Sequence, residues 1–224
     1  MFRVKICGIT SVADALLAVS VGADAIGLNF YPRSVRFLTA DKARAIVKAL
    51  PERVLPVGVF VNASVEEVLR IAEQTGVQWA QLHGDEIPET AVAVRRKLPV
   101  MRAFRYRAET ASETARYLSQ CAQLDGLPTA VLLDAYRPGE YGGTGQTLDW
   151  QAVRDCRPHL LNCPLTLAGG LTAENVAQAI ETARPDGVDT ASGVESAPGI
   201  KDAGKVQAFV AAAREAFGRL KPLT

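Results

Sequence analysis

The chain has 224 residues, 48% hydrophobic and 22% charged, the composition of a globular protein able to bury one large core. Lysine and arginine total 25 against 24 acids, so no overall positive field favours nucleic acid or an anionic membrane, and an anionic ligand needs a local site. The N-terminal Met1-Phe2-Arg3-Val4-Lys5 has no apolar leader and no apolar run reaches the ~20 residues that cross a bilayer, which predicts a cytoplasmic protein.

In chain order, short apolar runs alternate with amphipathic patterns. Residues 4–7 predict a strand, followed by a helix over 11–21 that Ser11 can cap. A strand at 25–28 precedes a helix at 41–50. The strand at 55–60 leads to a helix at 65–75, where Ser64-Val65-Glu66-Glu67 fits a capping box. Strands at 79–82 and 100–104 precede helices at 89–97 and 112–120. The strand at 130–134 runs into a glycine-rich stretch, 137–147, which reads as a lid candidate. Strands at 165–168 and 187–189 precede helices at 173–182, with Thr172 as a capping residue, and 205–220.

Eight strand-helix units in this length average ~28 residues each, close to the lower limit for a (β/α)8 barrel. The expectation is therefore an α/β protein, a single-domain (β/α)8 TIM barrel over 1–224. Cys7, Cys121, Cys156 and Cys163 are irregularly spaced without a CxxC pair, and the only histidines are His83 and His159. That pattern argues against a zinc site or a disulfide framework.

In such a barrel, chemistry sits at the C-terminal ends of the strands. The residues closing or following them are Cys7, Arg36, Asn62, His83, Asp134 and Asp189. Glycine clusters follow the late strands at Gly142-Gly143-Thr144-Gly145, Gly169-Gly170 and Ser192-Gly193. The last two occupy the positions where barrels hold phosphate on backbone amides, with residues 193–196 available as a short extra helix. Neither GxGxxG nor GK[ST] is present, which disfavours a nucleotide-hydrolysing enzyme.

Each candidate has a plain alternative. Cys7 is a buried core thiol or a base. Asp134, ending Ala130-Val131-Leu132-Leu133, is solvated, ion-paired or catalytic, because an unpaired buried charge is costly. His83 faces substrate or is a polar rim residue. Arg36 is a solvated loop cation or the partner of an aryl carboxylate.

Taken together, Lys5-Ile6-Cys7-Gly8-Ile9-Thr10, Phe30 to Arg36, Gly58-Val59-Phe60-Val61-Asn62, Gln81-Leu82-His83-Gly84, Leu133-Asp134, Gly142 to Gly145, Leu167 to Leu171 and Gly187 to Glu195 resemble phosphoribosylanthranilate isomerase. The resemblance runs from Lys5 to about Lys205. It implies a barrel that converts N-(5-phosphoribosyl)anthranilate to 1-(2-carboxyphenylamino)-1-deoxyribulose 5-phosphate in tryptophan biosynthesis. It also implies Cys7 as general base, Asp134 as general acid, Arg36 at the anthranilate group, Asp189 at a ribose hydroxyl, and Gly169, Gly170, Ser192 and Gly193 at the phosphate. His83 matches a substrate-binding position. Thr190-Ala191 and Val35 depart from the usual pattern. No cofactor or metal is implied, and the partner is a phosphorylated aminosugar carrying an anthranilate group, bound by a monomer or homodimer. The competing readings are a histidine-pathway aminoaldose isomerase, indole-3-glycerol-phosphate synthase, or a non-catalytic phosphosugar sensor.

Overall fold

The computed structural model describes residues 1–107, 110–135 and 149–220. Eight parallel strands close into a barrel in sequence order: β1 (Val4–Ile6), β2 (Ala25–Asn29), β3 (Leu55–Phe60), β4 (Trp79–Leu82), β5 (Val100–Tyr106), β6 (Ala130–Ala135), β7 (Leu165–Leu167) and β8 (Gly187–Thr190). Around them run α1 (Val12–Ser20), α2 (Ala40–Ala49), α3 (Val65–Thr75), α4 (Pro88–Arg95), α5 (Ala111–Gln123), α6 (Trp150–Cys156), α7 (Val176–Ala183) and α8 (Ala203–Arg219). The ring closes where β1 meets β8, with Lys5 opposite Asp189 and Ile6 opposite Thr190.

Side chains alternate across each strand, so two faces are buried against different partners. Val4, Ile6, Leu82, Leu133 and Val188 point outward and join the helices in one apolar layer. Val57, Met101, Ala103, Leu132 and Ala168 fill the lumen as a second, smaller core. The same alternation carries Lys5, Gln81, Asp134 and Asp189 into the lumen, and all four are buried. A floor of hydrocarbon beneath a ring of polar and ionisable groups is what positions the site.

Local chemistry explains most element boundaries. Ser11 Oγ accepts from the Asp14 amide at 3.0 Å and Ser64 Oγ from the Glu67 amide at 3.1 Å, satisfying amides that the first helical turn leaves free. Gly76, at φ 80°, ends α3 in the left-handed region. Thr172 does not cap α7. Its own amide instead donates to Asn175 Oδ1 at 2.9 Å, and the helix begins at Val176.

Two features depart from the expected order. The helix α6 lies in a stretch that showed no helical pattern; it is seven residues long and is started by Asp149, whose Oδ1 accepts from the amides of Gln151 and Ala152. Residues 193–196 do not form the short extra helix. A single 3-10 turn, Ser192–Val194, gives way to a hairpin of β9 (Glu195–Ala197) and β10 (Ile200–Lys201). Pro198-Gly199, with Gly199 at φ 81°, supplies the proline and left-handed glycine that a tight turn prefers. The lid candidate 137–147, with Gly142, Gly143 and Gly145, lies outside the described residues. Among those described, no helix is long and apolar enough to cross a membrane.

Candidate active site

A cavity of about 380 Å³ opens at the C-terminal mouth of the barrel, within the range of small-molecule sites. Cys7, Arg36, His83, Asp134, Gly169, Gly170, Asp189 and Ser192 all line it, so the barrel gathers eight of the ten residues expected there. Gly193 is one exception. A Cβ at that position would run into the Leu171 carbonyl oxygen, so its glycine serves the approach of two loops rather than the wall. Asn62, also read as a rim residue, is absent from the lining; its amide donates to Glu86 Oε1 at 2.9 Å while its Oδ1 accepts from the Asp85 amide at 2.6 Å.

Cys7 follows the last residue of β1, and its amide donates to the Thr190 carbonyl at 2.8 Å. Room for the thiol comes from β2, where a Cβ on Gly27 would stand 2.5 Å from Cys7 Sγ. Burial pushes the thiol above its ordinary range; Lys5 and Lys201 pull it down and Asp189 pushes it up. Lys5 lies two residues earlier on the same lumenal face, with no exposed surface. Its Nζ stands 2.9 Å from Asp189 Oδ2.

Burial opposes charge on Lys5, but Asp189 and Cys7 outweigh it and hold the ammonium above its usual range. Burial likewise pushes the Asp189 carboxyl up, against the pull of Lys5. The 2.9 Å contact favours the charged form of the pair. Asp189 Oδ1 is buried without a hydrogen-bond partner, which leaves a strong acceptor on the cavity wall.

Asp134 stands at the end of β6, with Oδ2 3.3 Å from His83 Nε2. That is ion-pair range, although the alignment falls short of a hydrogen bond. The other ring nitrogen, Nδ1, is 3.1 Å from Gln81 Nε2. The direction of that contact follows the ring's tautomer.

Arg36 arrives from the loop after β2. Its Nε and Nη2 grip Glu195 Oε1 and Oε2 at 2.8 and 2.7 Å, a two-pronged pair. Lys201 Nζ binds the same carboxylate at 2.9 Å. Burial works against the charge of Glu195, but Arg36 and Lys201 overcome it and hold the carboxyl below its usual range. The fork of Arg36 is thus occupied, leaving Nη1 and the flat face of the guanidinium. Gly8, at φ 71°, has no side chain because a Cβ would collide with the Arg36 stem.

Gly169 and Gly170 have φ of 86° and 63°, backbone that side chains seldom tolerate. Thr190 Oγ1 donates to the Leu171 carbonyl at 2.7 Å, tying the loops after β7 and β8 together. No group of three or more His, Cys, Asp or Glu among the described residues could hold a metal ion.

Sequence reading missed Lys5, Gln81 and Glu195. Lys5 and Gln81 had a signal, since each stands two residues before a named candidate and the strand period puts both on one face. Glu195 had none beyond its charge, because its hairpin was unforeseen.

Residues 4–212 match the family model for N-(5'-phosphoribosyl)anthranilate (PRA) isomerase. The chain is 48% identical over 219 residues to the N-(5'-phosphoribosyl)anthranilate isomerase of Rubrobacter xylanophilus, covering 96% of this chain and all of that one. Monomers generated from a dimeric phosphoribosylanthranilate isomerase of Thermotoga maritima superpose with a TM-score of 0.82 at 36% identity, over 96% of this chain and all of that one. A phosphoribosylanthranilate isomerase in complex with reduced 1-(o-carboxyphenylamino)-1-deoxyribulose 5-phosphate gives 0.83 at 36% identity, with the same coverage. By sequence along nearly its whole length and by fold, the chain belongs to the N-(5'-phosphoribosyl)anthranilate isomerase family.

Proposed function

We propose that Cys7 and Asp134 are the base and the acid of this isomerase, acting from β1 and β6 on a substrate held in the cavity between them. Membership of the family makes the chain an isomerase of tryptophan biosynthesis; the roles of individual residues are the proposal. The observation that carries it is the convergence of the Cys7 thiol, the Asp134 carboxyl group and the unpartnered Asp189 Oδ1 on one cavity.

The chemistry is an Amadori rearrangement of N-(5'-phosphoribosyl)anthranilate. Asp134 donates its proton to the furanose ring oxygen, the C1–O bond breaks, and the anthranilate nitrogen takes up the positive charge as an iminium. That iminium acidifies C2. The Cys7 thiolate removes the C2 proton, and the electron pair left behind neutralises the nitrogen, giving an enol that tautomerises to the ketose. Because the substrate's own nitrogen is the electron sink, the steps are complete without an external one.

The remaining residues bind. Asp189 Oδ1 accepts from a ribose hydroxyl. The loops carrying Gly169, Gly170 and Ser192 present backbone amides to the phosphate, with Gly193 allowing the second to lie against Leu171. Arg36 offers its flat face to the anthranilate ring and Nη1 to the carboxylate. His83 steadies Asp134. The whole of 1–224 serves as one barrel domain, as a monomer or a homodimer, in the cytoplasm.

Cys7→Ser and Asp134→Asn test the assignment. Each is expected to fold, to bind the product analogue, and to lose ~10² to 10⁴ of kcat. Turnover is read as loss of anthranilate fluorescence with the labile substrate generated in situ. Near wild-type kcat in both variants would overturn the assignment, and binding without turnover by the wild type would favour a sensor.

A further inference from the structure

Lys5 is a lysine without exposed surface, set in the lumen of a barrel. An ammonium there is costly unless other groups compensate it. Asp189 is one such group, brought to 2.9 Å by the β1–β8 register that sets the two residues side by side. Cys7 is its neighbour: the strand period stacks it above Lys5 on the same face, and the ammonium pulls the thiol down.

Other charges around Cys7 come from several elements. Arg36 reaches in from the loop after β2 and Lys201 from β10, and the two share the single carboxylate of Glu195, so this trio keeps a net positive charge. Asp189 from β8 faces Asp134 of β6 and His83 from the end of β4. Lys5, two residues before Cys7 on the same face, nonetheless pulls the thiol down more than Lys201 does, and its pairing with Asp189 opposes that pull.

We propose that Lys5 is the positioning residue that sets the ionisation of Cys7, with Asp189 governing how much of the ammonium's field reaches the sulfur. In the empty site the carboxylate takes up the ammonium and the thiol keeps its proton. A substrate hydroxyl that donates to Asp189 Oδ1 satisfies part of that carboxylate charge and frees more of the Lys5 field for Cys7. The thiol then loses its proton to solvent at the cavity mouth. The thiolate that forms later regains a proton from C2. The base is thus armed by the occupied site and kept inert in the empty one. The inference rests on the reading of Cys7 as the base.

The test is the pH dependence of Cys7 alkylation by iodoacetamide in the unliganded enzyme, with the modified residue identified by peptide mass. Lys5→Met is expected to slow alkylation at pH 8 by about tenfold or more, because losing the ammonium raises the thiol further. Asp189→Asn, which removes the competing anion and leaves the ammonium, is expected to speed it by a similar factor. Nonspecific damage to the site would move both variants in the same direction. A wild-type alkylation profile in Lys5→Met would overturn the proposal. Should that variant fail to fold, Asp189→Asn decides alone, and unchanged or slower alkylation overturns it. Alkylation is read without turnover, so the failure of the base assignment, seen as retained kcat in Cys7→Ser, is distinguishable from the failure of this one.

Discussion

At the scale of single residues, Glu195 shows how one carboxylate can fix an arginine on the cavity wall. It holds the fork of Arg36 and the ammonium of Lys201 at once, and its own charge is maintained by them. Arg36 is thereby fixed in direction on the cavity wall. Glu195→Gln keeps the shape and removes the charge, so Arg36 loses its anchor. Steady-state kinetics should show KM raised about tenfold, with kcat within about threefold of wild type, the pattern of lost ground-state binding. A collapse of kcat at unchanged KM would instead place Glu195 in the chemical step. The companion contrast is Gly8, whose missing side chain gives the Arg36 stem its channel.

Elements rather than residues decide how the two glycine loops lie against each other. The loops after β7 and β8 meet at Gly193, where a Cβ would press on the Leu171 carbonyl and on Thr190 Oγ1, 2.8 Å away. The atoms that must yield are largely backbone, so Gly193→Ala separates the two loops. Its expected cost is roughly 1 to 3 kcal/mol of stability, read from urea unfolding, with KM for the phosphorylated substrate raised at least as much as kcat is lowered. Wild-type stability and KM together would show that the loops tolerate separation.

How legible this was in the sequence follows from the kind of signal each element carries. The strands were visible because each is a short apolar run buried on both faces, and the mouth residues were visible because a barrel strand ends at a fixed rim. Ser11 and Ser64 were readable as caps because the capping bond is local. What stayed hidden depended on tertiary contact. The helix α6 is too short to show a period, the Pro198-Gly199 hairpin replaced a helix expected by analogy with other barrels, and Glu195 became a site residue only when that hairpin swung it against Arg36. Asn62 stood at a strand end like the others, yet was drawn aside by Glu86 and Asp85.

For the whole molecule, the groups that gain most from folding in their neutral form are weak acids. Burial pushes the thiols of Cys156 and Cys163 up, that of Cys121 to about 11, and the phenol of Tyr117 to about 12. Burial does the same to Tyr106, helped by Cys156. In the unfolded chain, thiols ionise near pH 8.5 and phenols near 10. Above those values the unfolded state binds fewer protons than the native state, so stability falls as pH rises. The contribution of the thiols is fully present below about pH 8.5 and is lost as pH climbs towards their folded values. Urea unfolding followed from pH 7 to 10.5 should show a midpoint that declines from about pH 8.5 onward. Cys121→Ala, which removes one buried thiol from α5, should be less stable at pH 7 through the cavity it leaves and yet show a shallower alkaline decline. If the midpoint stays level to pH 10.5, or if Cys121→Ala declines as steeply as the wild type, the alkaline weakness of this barrel lies elsewhere than in its buried thiols.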